Sequence, residues 1–317
     1  MAPLKHTLPL LFACLALAGA GCGTKQVPAD RLIGVSLSPQ TYDAAGFTAF
    51  LPLVKQAGNA LSWGGDWREL EKTESAPWAT LELAAQNALT PIIVIGVDTL
   101  TEDAADLARL ESALTNFVKT KRPPYLVIGV EHNFKDNAPS PAFDRYVALF
   151  AHLAQTVKQA SPQTQVMPAL QYEWLLGRQG GLFGGTEDLA RTQWDLLARF
   201  PEADLLAFTT YPNLAFHDPA DIPEDYYTQI QKHTDKPIAF IETGWHSSPL
   251  ATIWDSSEEE QARFVSLFFR LTDPLSPRIR LWSFLFDQKI KAPFNTMGLH
   301  TATGEVKQGW SIWLEKK

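Results

Sequence analysis

Two glutamates in this chain each close a run of residues of the kind that is buried. Pro237-Ile238-Ala239-Phe240-Ile241 reads as a strand apolar on both faces, and Glu242 follows it, ahead of Thr243-Gly244-Trp245. Ile128-Gly129-Val130 ends in the same way on Glu131, with His132 and Asn133 next. A third apolar run ends on Thr210-Tyr211-Pro212. A carboxylate at the mouth of an apolar strand is either a satisfied structural acid or a reagent, because an unpaired charge is costly to bury. Two such carboxylates facing each other can divide a task. One stays protonated and donates to a leaving oxygen, while the other is ionised and attacks. Cleavage of a glycosidic acetal needs this pair, with the carboxyl groups about 5–5.5 Å apart when the product keeps its configuration. Tyr211 is the candidate for a hydroxyl that holds the attacking carboxylate and tunes its basicity.

For strand ends to converge in this way, the strands must belong to one sheet with a common mouth. Apolar β-type runs at 32–37, 59–63, 91–97, 125–130, 165–170, 205–209, 237–241 and 279–286 alternate with helical patterns at 44–57, 78–88, 102–119, 141–159, 188–200, 225–233, 258–271 and 308–314. Continuous apolar runs, rather than alternating ones, belong to strands covered on both faces, and strict strand–helix order implies a parallel sheet. Eight such units over 31–317 predict a single α/β domain, a (β/α)8 TIM barrel, whose reactive groups sit at the C-terminal strand ends. A doubly wound open sheet usually has a glycine-rich turn after its first strand. Here that position reads Ser36-Leu37-Ser38-Pro39-Gln40.

The chain has 317 residues, 45% of them hydrophobic and 20% charged, and a formal net charge of −8. The acidic balance argues against nucleic acid as a partner, since phosphate binding needs a basic face. Ten tryptophans suit a protein that binds flat rings. Residues 1–22 read as a targeting segment. Lys5 and His6 precede an apolar run over 8–20, too short for a membrane span of about 20 residues. Leu17-Ala18-Gly19-Ala20-Gly21-Cys22 resembles a bacterial lipobox, which predicts lipidation of Cys22, a tether over 23–30 and a place on the cell envelope. Cleavage after Ala20 would instead give a secreted protein. Both cysteines, Cys14 and Cys22, lie in this segment, so thiol chemistry is not expected of the mature chain.

The strand endings at Glu131, Tyr211 and Glu242 resemble those of clan A glycoside hydrolases. Glu242-Thr243-Gly244-Trp245 is similar to the nucleophile strand of endo-β-1,4-galactanase and plant-type β-1,3-glucanase families, and Thr210-Tyr211-Pro212 to the Ser-Tyr-Pro that ends their sixth strand. Met297-Gly298-Leu299 and 303–307 look like their closing segment. The resemblance runs over 31–317 as an order of motifs. It implies Glu131 as acid/base, Glu242 as nucleophile, Tyr211 as its orienting partner, Trp282 as a sugar platform and Arg68 as a cation near the nucleophile. Trp63 and Trp245 are further candidates for sugar contact. The clan places Asn directly before the acid, where it bonds the sugar 2-hydroxyl. This chain has Val130 there, so Asn133 or Gln171 is expected to supply the contact. The substrate implied is a β-linked polysaccharide or oligosaccharide, with no cofactor and no metal.

Other chemistries fit less well. Glu131, His132 and His246 invite a metal, but the chain has no His-x-x-x-His and no cysteine pair outside the targeting segment. A Gly-x-Ser-x-Gly elbow is also absent. The competing class is a carbohydrate-binding lipoprotein that keeps the barrel and has weak or no turnover, with Val130 as the reason. A surface scaffold for a protein partner is the third.

Overall fold

A computed structural model of the chain describes residues 31–97, 104–250 and 254–317. The expected targeting segment, Cys22 and the expected tether lie outside the described residues. Eight strands close into one parallel barrel in chain order: β1 (Leu32–Ser36), β2 (Ala60–Asp66), β3 (Thr90–Gly96), β4 (Tyr125–Val130), β5 (Gln165–Gln171), β6 (Leu206–Thr210), β7 (Ile238–Thr243) and β8 (Ile279–Trp282). The circle closes where β1 pairs with β8, Leu32 opposite Ile279 and Val35 opposite Trp282.

The strands read as continuous apolar runs because each faces two dry layers. In β3, Ile92 and Val94 enter the barrel interior with Ala60, Met167, Ala207 and Leu281. Ile93 and Ile95 face outward, into the layer shared with the helices. Each fully buried aliphatic or aromatic side chain stabilises the fold by about 1.5–3 kcal/mol relative to exposure.

Around the barrel run α1 (Ala44–Ala57), α2 (Ala76–Gln86), α3 (Ala104–Lys121), the single turn α4 (His132–Lys135), α5 (Pro141–Ala160), the single turn α6 (Tyr172–Leu175), α7 (Glu258–Thr272) and α8 (Gln308–Lys316). Their starts follow from local chemistry. Asp43 accepts from the Gly46 amide at α1, and Ser140 from the Phe143 amide at α5, with Pro141 in the first turn. Ser257 caps α7, whose first turn holds Glu258, Glu259 and Glu260 at the positive end of the dipole.

Three expected elements differ. The helical patterns at 188–200 and 225–233 form only 3-10 turns, Trp194–Arg199 and Thr228–Lys232. Between 188 and 193 the backbone is already committed: Asp188 N donates to Gly177 O and Gln193 N to Leu175 O, so a helix cannot begin there. At 225–233, Tyr226 and Tyr227 are both buried, the Tyr226 hydroxyl donating to Glu173 at 2.9 Å and the Tyr227 hydroxyl lying 3.0 Å from Thr210 Oγ1. Strand β8 ends at Trp282 rather than at 286, and its continuation turns to meet the closing segment. There Asp287 accepts from Gly298 N and from Lys307 Nζ at 2.6 Å.

Candidate active site

Glu131 leaves β4 through a local distortion. The register against β5 shifts between Val127 and Val130, and Gly129 takes φ 76°. No other residue suits this place, because a Cβ on Gly129 would lie 2.3 Å from the Tyr146 ring. Tyr146 in turn donates from its hydroxyl to Ile128 O at 2.9 Å, which fixes the bulge from behind. Glu131 itself is left-handed, φ 61° and ψ 27°, a conformation costing a non-glycine residue about 1–2 kcal/mol. Strain of this kind gathers where a side chain must be aimed. The aim is held by Thr209, whose Oγ1 donates to Glu131 Oε1 at 2.6 Å.

Glu242 lies inside β7, since the strand runs to Thr243 rather than stopping at Ile241. A second register shift, between Phe208 and Thr209, accommodates Ile241 as the extra residue and sets Glu242 opposite Thr209. Thr209 therefore stands between the two glutamates, paired with one in the ladder and bonded to the other. The Tyr211 hydroxyl donates to Glu242 Oε2 at 2.8 Å, and Ser283 Oγ lies 2.7 Å from the same hydroxyl. Burial, and then the charge of Glu131, push the Glu242 carboxyl up to about 7, while the Tyr211 bond and Lys135 oppose the shift.

Tyr211 is anchored by a third glutamate that no motif indicated. Glu173, wholly buried at the end of β5, accepts from Tyr211 N at 3.1 Å, Gln171 Nε2 at 2.6 Å, Thr210 Oγ1 at 2.7 Å and the Tyr226 hydroxyl at 2.9 Å. Burial raises its pKa, and the hydrogen bonds from Thr210, Tyr211 and Tyr226 counter this. The only sequence signal was a charged residue inside the aromatic and apolar stretch 169–175.

The glutamates open onto two adjoining clefts. Glu242 borders one of about 480 Å³, with Trp63, Phe284, Tyr42 and Phe47 on its walls and Ser36, Ser62 and Ser283 among them. Glu131 and Tyr211 border the other, of about 370 Å³.

Of the expected sugar contacts, Trp63 and Gln171 do line these clefts. Trp282, Trp245 and Asn133 are corrected by their burial, and Arg68 by its place outside the clefts. Trp282 is fully buried on the outer face of β8, against Trp313 and Phe264, with Nε1 donating to Met297 O. Its neighbour Ser283 is the residue that reaches the mouth. Trp245 is fully buried against Phe264, with Nε1 on Ser256. Asn133 is fully buried behind Glu131, its amide spent on Gln171 N, Gln171 O and Gln193 Oε1. Arg68 pairs with Asp66 and Asp106 and lines neither cleft. Val130 packs against the inner apolar cluster.

No family model matches the sequence, and a search of curated proteins finds no match. Solved structures do match in shape. One is the exo-β-1,4-mannosidase Op5Man5 from Opitutaceae bacterium strain TAV5, with TM-score 0.64 and 14% identity over 89% of this chain and 58% of that one. A family 39 glycoside hydrolase from Bacteroides cellulosilyticus WH2 has TM-score 0.62 and 16% identity, over 89% of this chain and 62% of that one. A family 17 β-1,3-glucanosyltransferase from Rhizomucor miehei has TM-score 0.59 and 14% identity, over 88% of this chain and 96% of that one. The chain thus spans 58% and 62% of the lengths of the first two. At these identities the likeness establishes the fold alone, a (β/α)8 barrel, as the alternation of strands and helices implied.

Proposed function

We propose that this protein hydrolyses a β-glycosidic bond with retention of configuration. The reading rests on one observation above the rest: two glutamates from β4 and β7 flank Thr209, and the one on β7 is held by a tyrosine hydroxyl. In the first step the protonated Glu131 donates to the glycosidic oxygen as the C1–O bond breaks, and a Glu242 oxygen bonds to C1. In the second, Glu131 takes a proton from water, whose oxygen bonds to C1 as the ester to Glu242 breaks. The sugar leaves in its original β configuration. Activity of the similar barrels on β-linked sugars supports the choice of bond.

In the empty site Glu242 holds a proton up to about pH 7. Attack at C1 needs the ionised form, which the positive charge developing at C1 stabilises in the transition state. Tyr211 assists in the same sense, because its hydrogen bond stabilises the carboxylate. A lipid on Cys22 would keep the barrel at a bacterial cell envelope, and Cys22→Ala would release it into the soluble fraction.

The test is hydrolysis of a panel of β-glycosyl fluorides, with the anomer of the first-formed sugar read by proton NMR. β product, lost in Glu242→Gln, is expected. First-formed α product would refute retention. The second reading, a sugar-binding protein with little turnover, is favoured by Val130 together with the burial of Asn133, which leaves only Gln171 of the two residues expected to supply the 2-hydroxyl contact. It requires sugar binding by calorimetry with no fluoride hydrolysed.

A further inference from the structure

The two clefts differ in what they offer a ligand. On the Glu242 side three serines face the space: Ser62 donates to Ser36 Oγ at 2.8 Å, and Ser283 sits at the Tyr211 hydroxyl. These are groups a sugar can hydrogen-bond. The Glu131 side has no such row. Its walls are apolar, made of Phe134, Leu182, Phe183, Leu214, Pro293 and Phe294.

Its polar groups are mostly committed. The Gln171 amide donates to Glu173 and accepts from Trp174 N, and the Tyr211 hydroxyl is bonded to Glu242. The charged groups on this lining are Glu131, held by Thr209, and the exposed Lys291. Its rings are not laid out as platforms either. Phe134 meets Phe183 edge-on at 5.9 Å, both meet Trp174 edge-on, and Phe294 stands at 87° to Tyr211. Rings interlocked in this way form an apolar wall, whereas a sugar face is bound by a ring lying flat and open. A sugar placed here would present several hydroxyls to a surface with few partners for them.

Resting on the assignment of Glu131 as the proton donor, we propose that this cleft receives the leaving group, and that the leaving group is an apolar, ring-bearing alcohol rather than a further sugar. The leaving oxygen must lie within hydrogen-bond reach of Glu131, so whatever it carries lies between these walls. The substrate class is a β-glycoside of one sugar with an aromatic aglycone, in place of the interior linkage of a polysaccharide.

The experiment compares three compounds for each of several β sugars: the glycosyl fluoride, the 2-phenylethyl glycoside and the β-linked disaccharide. The fluoride leaves without help from the cleft and so reports the nucleophile alone. Phenylethanol is as poor a leaving group as a sugar hydroxyl, so a preference for it reports binding between the walls. For the sugar whose fluoride is hydrolysed, kcat/KM for the phenylethyl glycoside is expected to exceed that for the disaccharide by at least about tenfold, from burial of one ring. Phe183→Asn lowers that ratio. A disaccharide cleaved as well as the phenylethyl glycoside overturns the inference and leaves the reading of the site standing. Failure of every fluoride overturns that reading, and the inference with it.

Discussion

Glu242→Gln is expected to stabilise the protein while removing its activity, and by an amount that depends on pH. The folded barrel raises the Glu242 pKa from 4.5 to about 7, chiefly by burial. In the unfolded chain the group ionises above its ordinary value. Between the two values the folded state binds the extra proton, so stability falls as pH rises across this window and is level above it. At about 1.4 kcal/mol per pKa unit, the penalty reaches a ceiling of about 3 kcal/mol above pH 7 and almost disappears near pH 4.5. Glutamine carries no charge and escapes it. The substitution weakens the bond from Tyr211, which loses its charged acceptor, an offset of about 1 kcal/mol. The net gain is then about 1–2 kcal/mol near pH 8, or a few degrees in Tm for a domain of this size. Thermal unfolding of both proteins near pH 8 and near pH 5 measures it. A gain that shrinks or reverses at the lower pH is expected. Destabilisation near pH 8, or the same difference at both pH values, would refute the reasoning.

Further outcomes follow from the same geometry. The acid limb of kcat/KM is expected near pH 7, because Glu242 must be ionised to attack. Tyr211→Phe removes a hydrogen bond that lowers that pKa, so the limb moves to higher pH and activity at pH 6 falls more than at pH 8, as a pH–rate profile will show. Glu131→Gln should lower kcat/KM for substrates with poor leaving groups by about 10²–10⁴-fold and for the glycosyl fluoride far less, measured by steady-state kinetics. In Glu173→Gln one acceptor oxygen becomes an N–H2, which must face donors, either Tyr211 N and Gln171 Nε2 or the hydroxyls of Thr210 and Tyr226. The substitution should cost about 2–3 kcal/mol in denaturant unfolding and lower kcat by loosening Tyr211, and a KM-against-kcat split separates this from general instability.

The strands and their order were legible because a parallel barrel buries both faces of each strand, and a continuous apolar run reports this directly. The same property hid which face a residue takes. Leu281 and Trp282 are equally apolar, so nothing in the sequence tells that Leu281 enters the barrel and Trp282 the helix layer. The two glutamates were legible as a pair because each charge interrupts an apolar run at its end. Their surroundings depend on two register shifts, at Gly129 and Ile241, which decide that Asn133 turns inward and that Thr209 stands between the glutamates. Such shifts depend on close packing, here of Tyr146 on Gly129, between residues distant in sequence. The helical pattern at 188–200 failed for a related reason, as its backbone groups pair with a loop rather than with each other.

The most direct test of the central claim is covalent trapping. The protein is incubated with 2-deoxy-2-fluoro β-glycosides of the sugars whose fluorides it hydrolyses, then digested and mapped by mass spectrometry. One sugar added to the peptide that contains Glu242, and absent in Glu242→Gln, is the expected result. A sugar bonded to Glu131 or to any other residue would contradict the assignment of the nucleophile.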